Sequence, residues 1–402
     1  MSVSGSTRAW ARGFDGEAPV RAPLSADDLA AIPAQRGVLL LEADGGAPVL
    51  LTTAADIRAR MRGRLAPPDD APRRRTADLR EVARRIRWKR TFSHFETDWQ
   101  FLELARRIYP KTYPDLLSIQ PAWFVHADPD AACPSVGRTR EVFGDPGRYL
   151  GPFPDGRSAQ RFVEALQEVF DLCRHESILR RAPRGRACVY AQMGRCGAPC
   201  DGSEPMAAYR ARVAQACRCA AGDRRTIRGR LQVEMRRCAE SRRYERAAAF
   251  RSRLERLGEL DKDAYRHVAD AEDFRFVLIQ PGPNRQTART FLADRGAIRA
   301  GPDLAYPVSP KHAERLAGRM RTPASGPRRV GVLQRRRMGL VAHYLCVSAE
   351  RRGLIVRAGG DLTGEALAEQ IAAGADRLGL RPGRASKGAD AGRGQTGRSR
   401  GR

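Results

Sequence analysis

Ala187-Cys188-Val189-Tyr190-Ala191-Gln192-Met193-Gly194-Arg195-Cys196-Gly197-Ala198-Pro199-Cys200 sets three cysteines among two glycines and a proline, a composition that folds as a tight loop with its sulfurs turned inward. Cys173 lies upstream, so the four cysteines are spaced by 15, 8 and 4 residues. Four thiolates satisfy tetrahedral zinc or an iron–sulfur cubane equally well, and spacing does not separate the two. The plain alternative is a set of buried thiols, because Cys133, Cys217, Cys219, Cys238 and Cys346 show that the chain uses cysteine elsewhere. Arg180, Arg181, Arg184, Arg186 and Arg195 flank the loop. They suit phosphate contact, with Arg186 and Arg195 the candidate DNA ligands, or else form a solvated face.

Downstream, residues 205–262 read as helix. Leu231, Met235, Ala239, Ala247, Phe250, Leu254 and Leu257 trace apolar stripes on two helices broken near Ser241, the pattern of an antiparallel helical hairpin. Upstream, the Gly/Pro-rich turn from Arg148 to Pro154 leads into a helix near Ser158 with Phe162, Leu166, Val169 and Phe170 on one face. Further toward the N-terminus, Val38-Leu39-Leu40-Leu41, a turn at Asp44-Gly45-Gly46 and Val49-Leu50-Leu51 predict a β-hairpin. Thr53 with Asp56 predicts the cap of a helix through Arg60, and Thr97 with Gln100 the cap of a helix from Asp98 to Ile108 carrying Glu103. The Pro- and Arg-rich run from Pro67 to Arg75 reads as a loop. After Phe274 come short strands, among them Phe276–Ile279, Thr290–Leu292 and Val341–Val347, then a helix near Gly364–Leu378. The expected class is α+β. Five segments follow: a small α/β unit at 25–117, the cysteine-rich region at 118–204, the hairpin at 205–262, a mixed α/β unit at 272–380 and a disordered basic tail at 381–402.

The chain has 402 residues, 42% of them hydrophobic, enough for two or three cored units. Its formal charge of +27 attracts polyanions, above all nucleic acid. Some of that charge reflects codon usage: lysine occurs only at Lys89, Lys111, Lys262, Lys311 and Lys387, and arginine supplies the rest. No run approaches the roughly 18–20 apolar residues of a membrane span, and Met1 to Pro23 holds no apolar signal core. Nine cysteines without a secretion signal point to reduced thiols or ligands in the cytoplasm.

Tyr149-Leu150-Gly151-Pro152-Phe153-Pro154-Asp155-Gly156-Arg157 resembles the YxGPxPxGR segment of UvrC, the incision subunit of bacterial nucleotide excision repair, and Tyr190 to Cys200 resembles its YQxGRCxAPC segment. The resemblance implies a 4Fe-4S cluster on Cys173, Cys188, Cys196 and Cys200, with zinc the alternative; the first interval is longer than the family's. Residues 226–260 resemble the UVR motif, through Met235, Ala239, Tyr244, Glu245, Ala247, Ala248 and Leu257. That implies docking on UvrB or a UvrB-like protein, with Met235, Tyr244, Glu245, Ala248 and Leu257 as contacts. The resemblance also implies DNA as a partner and a role in DNA repair and the SOS response. The N-terminal unit resembles a GIY-YIG nuclease domain, with Gly37-Val38-Leu39 in the place of GIY and Leu50-Leu51-Thr52 in that of YIG. Arg60 and Glu103 fall where that family has its phosphate-binding arginine and its metal-binding glutamate, the latter with Mg2+ or Mn2+. Both tyrosines are leucines, which carry no donor, acceptor or titrating group. Thr53 stands where a basic residue is expected and Pro114 where an asparagine is. General acid–base help is typically worth about 10²–10⁴-fold, so the expectation is an impaired nuclease in a binding protein. The alternatives are a divergent nuclease that recruits Tyr109, Tyr113 or His94 as base, and a zinc-stabilised nucleic-acid-binding regulator. Neither the RNase H-like nuclease nor the helix-hairpin-helix units of UvrC are recognisable here; Asp273, Asp294 and Asp361 are scattered.

Overall fold

The computed structural model describes residues 9–21, 25–65, 79–321 and 330–383, so the expected loop at 67–75 and most of the basic tail fall outside the described residues. Three antiparallel sheets, each covered by helices, carry the chain.

The first sheet has the order β1-β4-β2-β3, built from β1 (Gly16–Pro19), β2 (Gly37–Glu42), β3 (Pro48–Ala54) and β4 (Arg85–Arg90). Helices α1 (Ala26–Ala31), α2 (Ile57–Leu65), α3 (His94–Ile108) and α4 (Tyr113–Leu116) accompany it. β2 is apolar without alternation because both of its faces are covered. Val38 and Leu40 pack with Leu102, Leu104 and Ala105 of α3, whereas Leu39 and Leu41 pack with Ile57, Met61 and Leu65 of α2. The expected β2–β3 hairpin is present, with Gly45 and Gly46 at the positive φ its turn needs. Two helix starts differ from expectation. Thr53 belongs to β3, and Asp56 caps α2 by accepting from the Ala59 N–H at 2.9 Å. Ser93 caps α3, and Thr97, one turn inside it, is buried and donates its hydroxyl to the Ser93 carbonyl at 2.8 Å, the back-bonding of a mid-helix threonine.

The second sheet runs β6-β5-β7-β8: β5 (Trp123–Ala127), β6 (Val136–Thr139), β7 (Arg148–Phe153) and β8 (Ala269–Asp270). Between β7 and β8 lie α5 (Gly156–Val169), α6 (Glu176–Leu179), α7 (Val189–Gln192), α8 (Met206–Ala221), α9 (Arg224–Glu240) and α10 (Tyr244–Glu259). Strand β8 returns to β7 after all of these helices, and Arg148 clasps Asp270 at 2.6 Å there. A single core therefore spans Val125, Phe162, Cys173, Tyr209, Leu257 and Val268, and the expected boundary at residue 204 runs through it rather than between separate cores.

The third sheet, β11-β10-β9-β13 with β12 on β10, is formed by β9 (Arg275–Pro281), β10 (Thr287–Asp294), β11 (Ala297–Ala300), β12 (Leu304–Ala305) and β13 (Leu354–Arg357). Helices α11 (Pro310–Arg321), α12 (Val332–Cys346), α13 (Ala349–Arg352) and α14 (Gly364–Ala373) complete the unit. The strand expected at Val341–Val347 is a correction: Val341 to Cys346 end α12, and Val347 is its extended C-cap. Gly339 to Leu345 is apolar apart from His343 and buried on most sides, so its periodicity cannot tell a covered helix from a covered strand.

A further shared core joins the three sheet units, through Phe95 of α3, Phe124 and Tyr149 of the middle sheet, and Phe276, Phe291 and Tyr344. Phe95 meets the Phe291 and Tyr344 rings edge-on at 5.2 and 5.3 Å. No helix among the described residues is long and apolar enough to cross a membrane.

Candidate metal centre and docking hairpin

Where α5 ends, Asp171 takes a positive φ of 48° and turns the chain toward Cys173. The turn is held from two helices: Arg212 of α8 donates to the Phe170 and Asp171 carbonyls at 3.3 and 3.2 Å, and Arg253 of α10 binds the Asp171 carboxylate at 2.5 Å. Burial pushes the Asp171 carboxyl up, and Arg253 and Arg212 oppose that. The Cys173 N–H donates to the buried Tyr209 hydroxyl at 3.2 Å. At the far end, the Gly185 N–H donates to the Cys200 carbonyl at 2.8 Å. A side chain at Gly185 would strike that carbonyl, which explains the glycine.

The loop brings the four sulfurs into one neighbourhood. The Cys173 thiol contacts Cys196, and that hydrogen bond holds the Cys196 thiol below its ordinary value while raising Cys173. Cys200 lies in electrostatic reach of Cys196 and Cys188 and is raised by burial. Cys173, Cys196 and Cys200 are buried; Cys188, at the start of α7, is half-buried. The thiols of Cys173 and Cys200 donate to the His175 and Arg186 carbonyls at 3.6 and 3.7 Å. Among the described residues no three Cys, His, Asp or Glu side chains stand as a closed ligand set. The chemistry of the donor set, four sulfurs on one loop, fits a thiolate-bound centre. Cys217 and Cys219 differ: both sit in the core on α8, pushed up by burial to about 11 and about 12, as inert thiols are. Arg186 and Arg195 are exposed and make no ion pair among the described residues, while Arg180 is taken by Glu176.

The hairpin α9–α10 stands on this loop. Arg253 reaches Asp171, and Arg256 reaches Glu168 at 2.5 Å. Leu257 is fully buried in the shared core, which corrects its assignment as a docking contact. Tyr244 is 68% exposed, Glu245 and Ala248 are exposed and Met235 is half-buried. Val233, 62% exposed, is a further apolar side chain on this arm; its helical phase in a basic stretch was its only signal.

Arg60 and Glu103 are not brought together. Arg60 is an exposed residue of α2, and α2 and α3 cover opposite faces of the first sheet. Glu103 is buried and bound by the Arg337 guanidinium of α12 at 2.6 and 2.7 Å. Leu39 and Leu50, in the tyrosine positions, belong to the apolar cluster on the α2 face. Tyr109, Tyr113 and His94 make no hydrogen bond to Arg60 or Glu103; His94 contacts Arg36 at 3.3 Å instead.

Residues 121–219 match the family described as UvrC/Cho excinuclease, middle domain. The UvrABC system protein C of Natronomonas pharaonis is 31% identical over 235 residues, covering 56% of this chain and 38% of that protein. That of Nautilia profundicola is 31% identical over 171 residues, 42% of this chain and 26% of its own. That of Syntrophotalea carbinolica is 26% identical over 230 residues, 56% of this chain and 37% of its own. The chain thus spans between 26% and 38% of the length of these relatives. No solved structure matches. Over residues 121–219 the chain is similar to the UvrC middle domain, the region that holds the two segments around Tyr149 and Tyr190.

Proposed function

We propose that this chain acts in nucleotide excision repair as a binding component, contacting DNA and docking its α9–α10 hairpin on a UvrB-type partner, with Cys173, Cys188, Cys196 and Cys200 holding a 4Fe-4S cluster. The carrying observation is mechanical. The Arg253–Asp171 pair fixes the hairpin two residues before Cys173, and the same hairpin presents Tyr244, Glu245, Ala248 and Val233 outward. Exposed apolar side chains among charged ones on a helical hairpin suit helix-on-helix docking.

When bound, a cluster would tie the ends of the loop together through iron–sulfur bonds and supply a site for electron exchange. The protein's own groups do the rest. Tyr209 and Arg212 set the position of Cys173, and Gly185 sets that of Cys200. Exposed Arg186 and Arg195 beside the loop offer guanidinium forks to phosphates. Incision at the N-terminal unit is not supported: the proton-accepting tyrosines are replaced, and Glu103 is neutralised by Arg337 rather than free for Mg2+ or Mn2+.

The test is anaerobic purification of the full chain beside its Cys196→Ser/Cys200→Ser variant, with metal analysis, visible absorbance and capture by purified UvrB. The expected wild-type protein is brown, contains iron and binds UvrB, and the variant loses colour and binds less. A colourless protein containing zinc would replace the cluster by zinc. Unchanged metal content and capture in the variant would overturn the reading.

A further inference from the structure

A large cleft opens where the three sheet units meet, and the function proposed above does not use it. Its volume is about 1010 Å3, and its walls come from β5 and β6, the segment from Phe153 to Arg157, and α12 with α13. That volume lies at the upper end of the ~300–1,000 Å3 typical of ligand sites. The YxGPxPxGR segment reaches its tip here. Gly156 is the residue that allows the approach, since a side chain on it would meet an Arg138 nitrogen at 2.7 Å and the Trp123 ring at 3.0 Å.

The charge of this cleft is one-sided. Four arginines line it, Arg138, Arg140, Arg157 and Arg351, against two carboxylates, Asp98 and Asp155. Both carboxylates are already engaged: Asp98 accepts from the Tyr344 hydroxyl at 2.6 Å, and Asp155 accepts from the Ser158 N–H and hydroxyl at 2.8 and 3.1 Å as the cap of α5. Arg140, Arg157 and Arg351 are exposed and have no ion pair among the described residues. The Arg138 and Arg140 guanidiniums lie over Trp123 at 5.0 and 4.6 Å from its ring centroid, placing two cations against one aromatic ring. Guanidiniums stacked on an aromatic ring and held beside unpaired arginines form a surface for phosphates and unstacked bases.

We infer that this cleft binds a single-stranded segment of nucleic acid, with backbone phosphates on Arg140, Arg157 and Arg351 and a base laid on the Trp123–Arg140 pair. The proposal rests on the DNA-binding reading and gives it a place. The charged part of its lining is mostly cationic, four guanidiniums against two carboxylates that are already engaged, and it lies beside an aromatic ring, which favours an anionic strand with exposed bases over a protein segment.

The experiment is fluorescence anisotropy with a labelled oligothymidylate of about 12 nucleotides, using the full chain, Arg140→Gln/Arg157→Gln/Arg351→Gln, and the control Arg299→Gln/Arg315→Gln/Arg319→Gln. The control removes equal charge from exposed positions elsewhere that have no ion pair among the described residues. The cleft variant should lose affinity on the order of tenfold, and its log-affinity against log-salt slope should flatten by roughly two, at about 0.7 per lost phosphate. Equal losses in both variants would overturn the proposal while leaving nucleic-acid binding intact. Absence of any wild-type binding would overturn both readings. Displacement of the strand by inorganic phosphate at matched ionic strength would mean a small-anion pocket and also sink it. Photocrosslinking with an iododeoxyuridine oligonucleotide supplies a second readout on unmutated protein: adducts on the Trp123 peptide support the cleft, and adducts only elsewhere refute it.

Discussion

Glu103 shows how far a side chain's meaning depends on what lies beside it. By position it resembles a metal-binding glutamate, yet it is sunk beneath Arg337 from a residue 234 positions away. Removing one partner of such a buried pair leaves the other uncompensated, at a cost of about 3–5 kcal/mol. Arg337→Met should therefore lower stability by that order in urea melts, and Arg337→Met/Glu103→Leu should recover much of it. In an incision assay with damaged duplex, UvrB and Mn2+, Glu103→Gln should match the wild type, both showing no robust cutting. Robust cutting abolished by Glu103→Gln would give the residue back its catalytic role. Nothing local announces this pair. The sequence shows a glutamate on a helix, and only the packing of α12 on α3 reveals its partner.

Among elements, the two hairpins were legible because their signals are local. The β2–β3 turn lies in Asp44-Gly45-Gly46, and the α9–α10 break lies near Ser241, each between apolar runs of the right period. Periodicity gives a face, but not which neighbour covers it, and so Leu257 read as a docking contact while the structure buries it against the middle core. Leu257 and Tyr244 now separate stability from recognition. Leu257→Ala should destabilise by about 2–5 kcal/mol through transfer and cavity terms, measured by thermal or urea unfolding. Tyr244→Ala should change stability by no more than about 0.5 kcal/mol and weaken capture by UvrB. The reverse pattern would put the docking face on the wrong side of the hairpin. The end of α12 failed for the complementary reason, because an apolar run long enough for either element carries no period to read.

Across the whole molecule, arginine excess meets partly buried histidine. His94, His267 and His343 are all held below the ordinary value of 6.5 by burial first, with arginines adding to it; His267 falls to about 4 and accepts from the Arg266 guanidinium at 2.9 Å. A depressed histidine binds its proton more readily in the unfolded chain than in the folded one. Its contribution to stability is therefore present above pH 6.5 and is lost as pH falls toward 4. The midpoint of urea unfolding should drop over that interval, and His267→Gln should flatten the drop; parallel curves for the two proteins would discount the histidine. The cysteine loop was legible as a set of candidate ligands, but its support was not, since Tyr209, Arg212 and Arg253 reach it from helices that spacing rules do not connect.

Helix α3 offers Phe95 and Trp99 to Phe291, and Phe95 also to Tyr344, so the aromatic side of the N-terminal unit is already spent on its neighbours. A unit glued down in this way cannot be dropped from the protein without uncovering greasy surface on both sides of the break. Its bulk is needed wherever it sits, and the leucines at 39 and 50 serve that need by filling space in the apolar cluster beside α2.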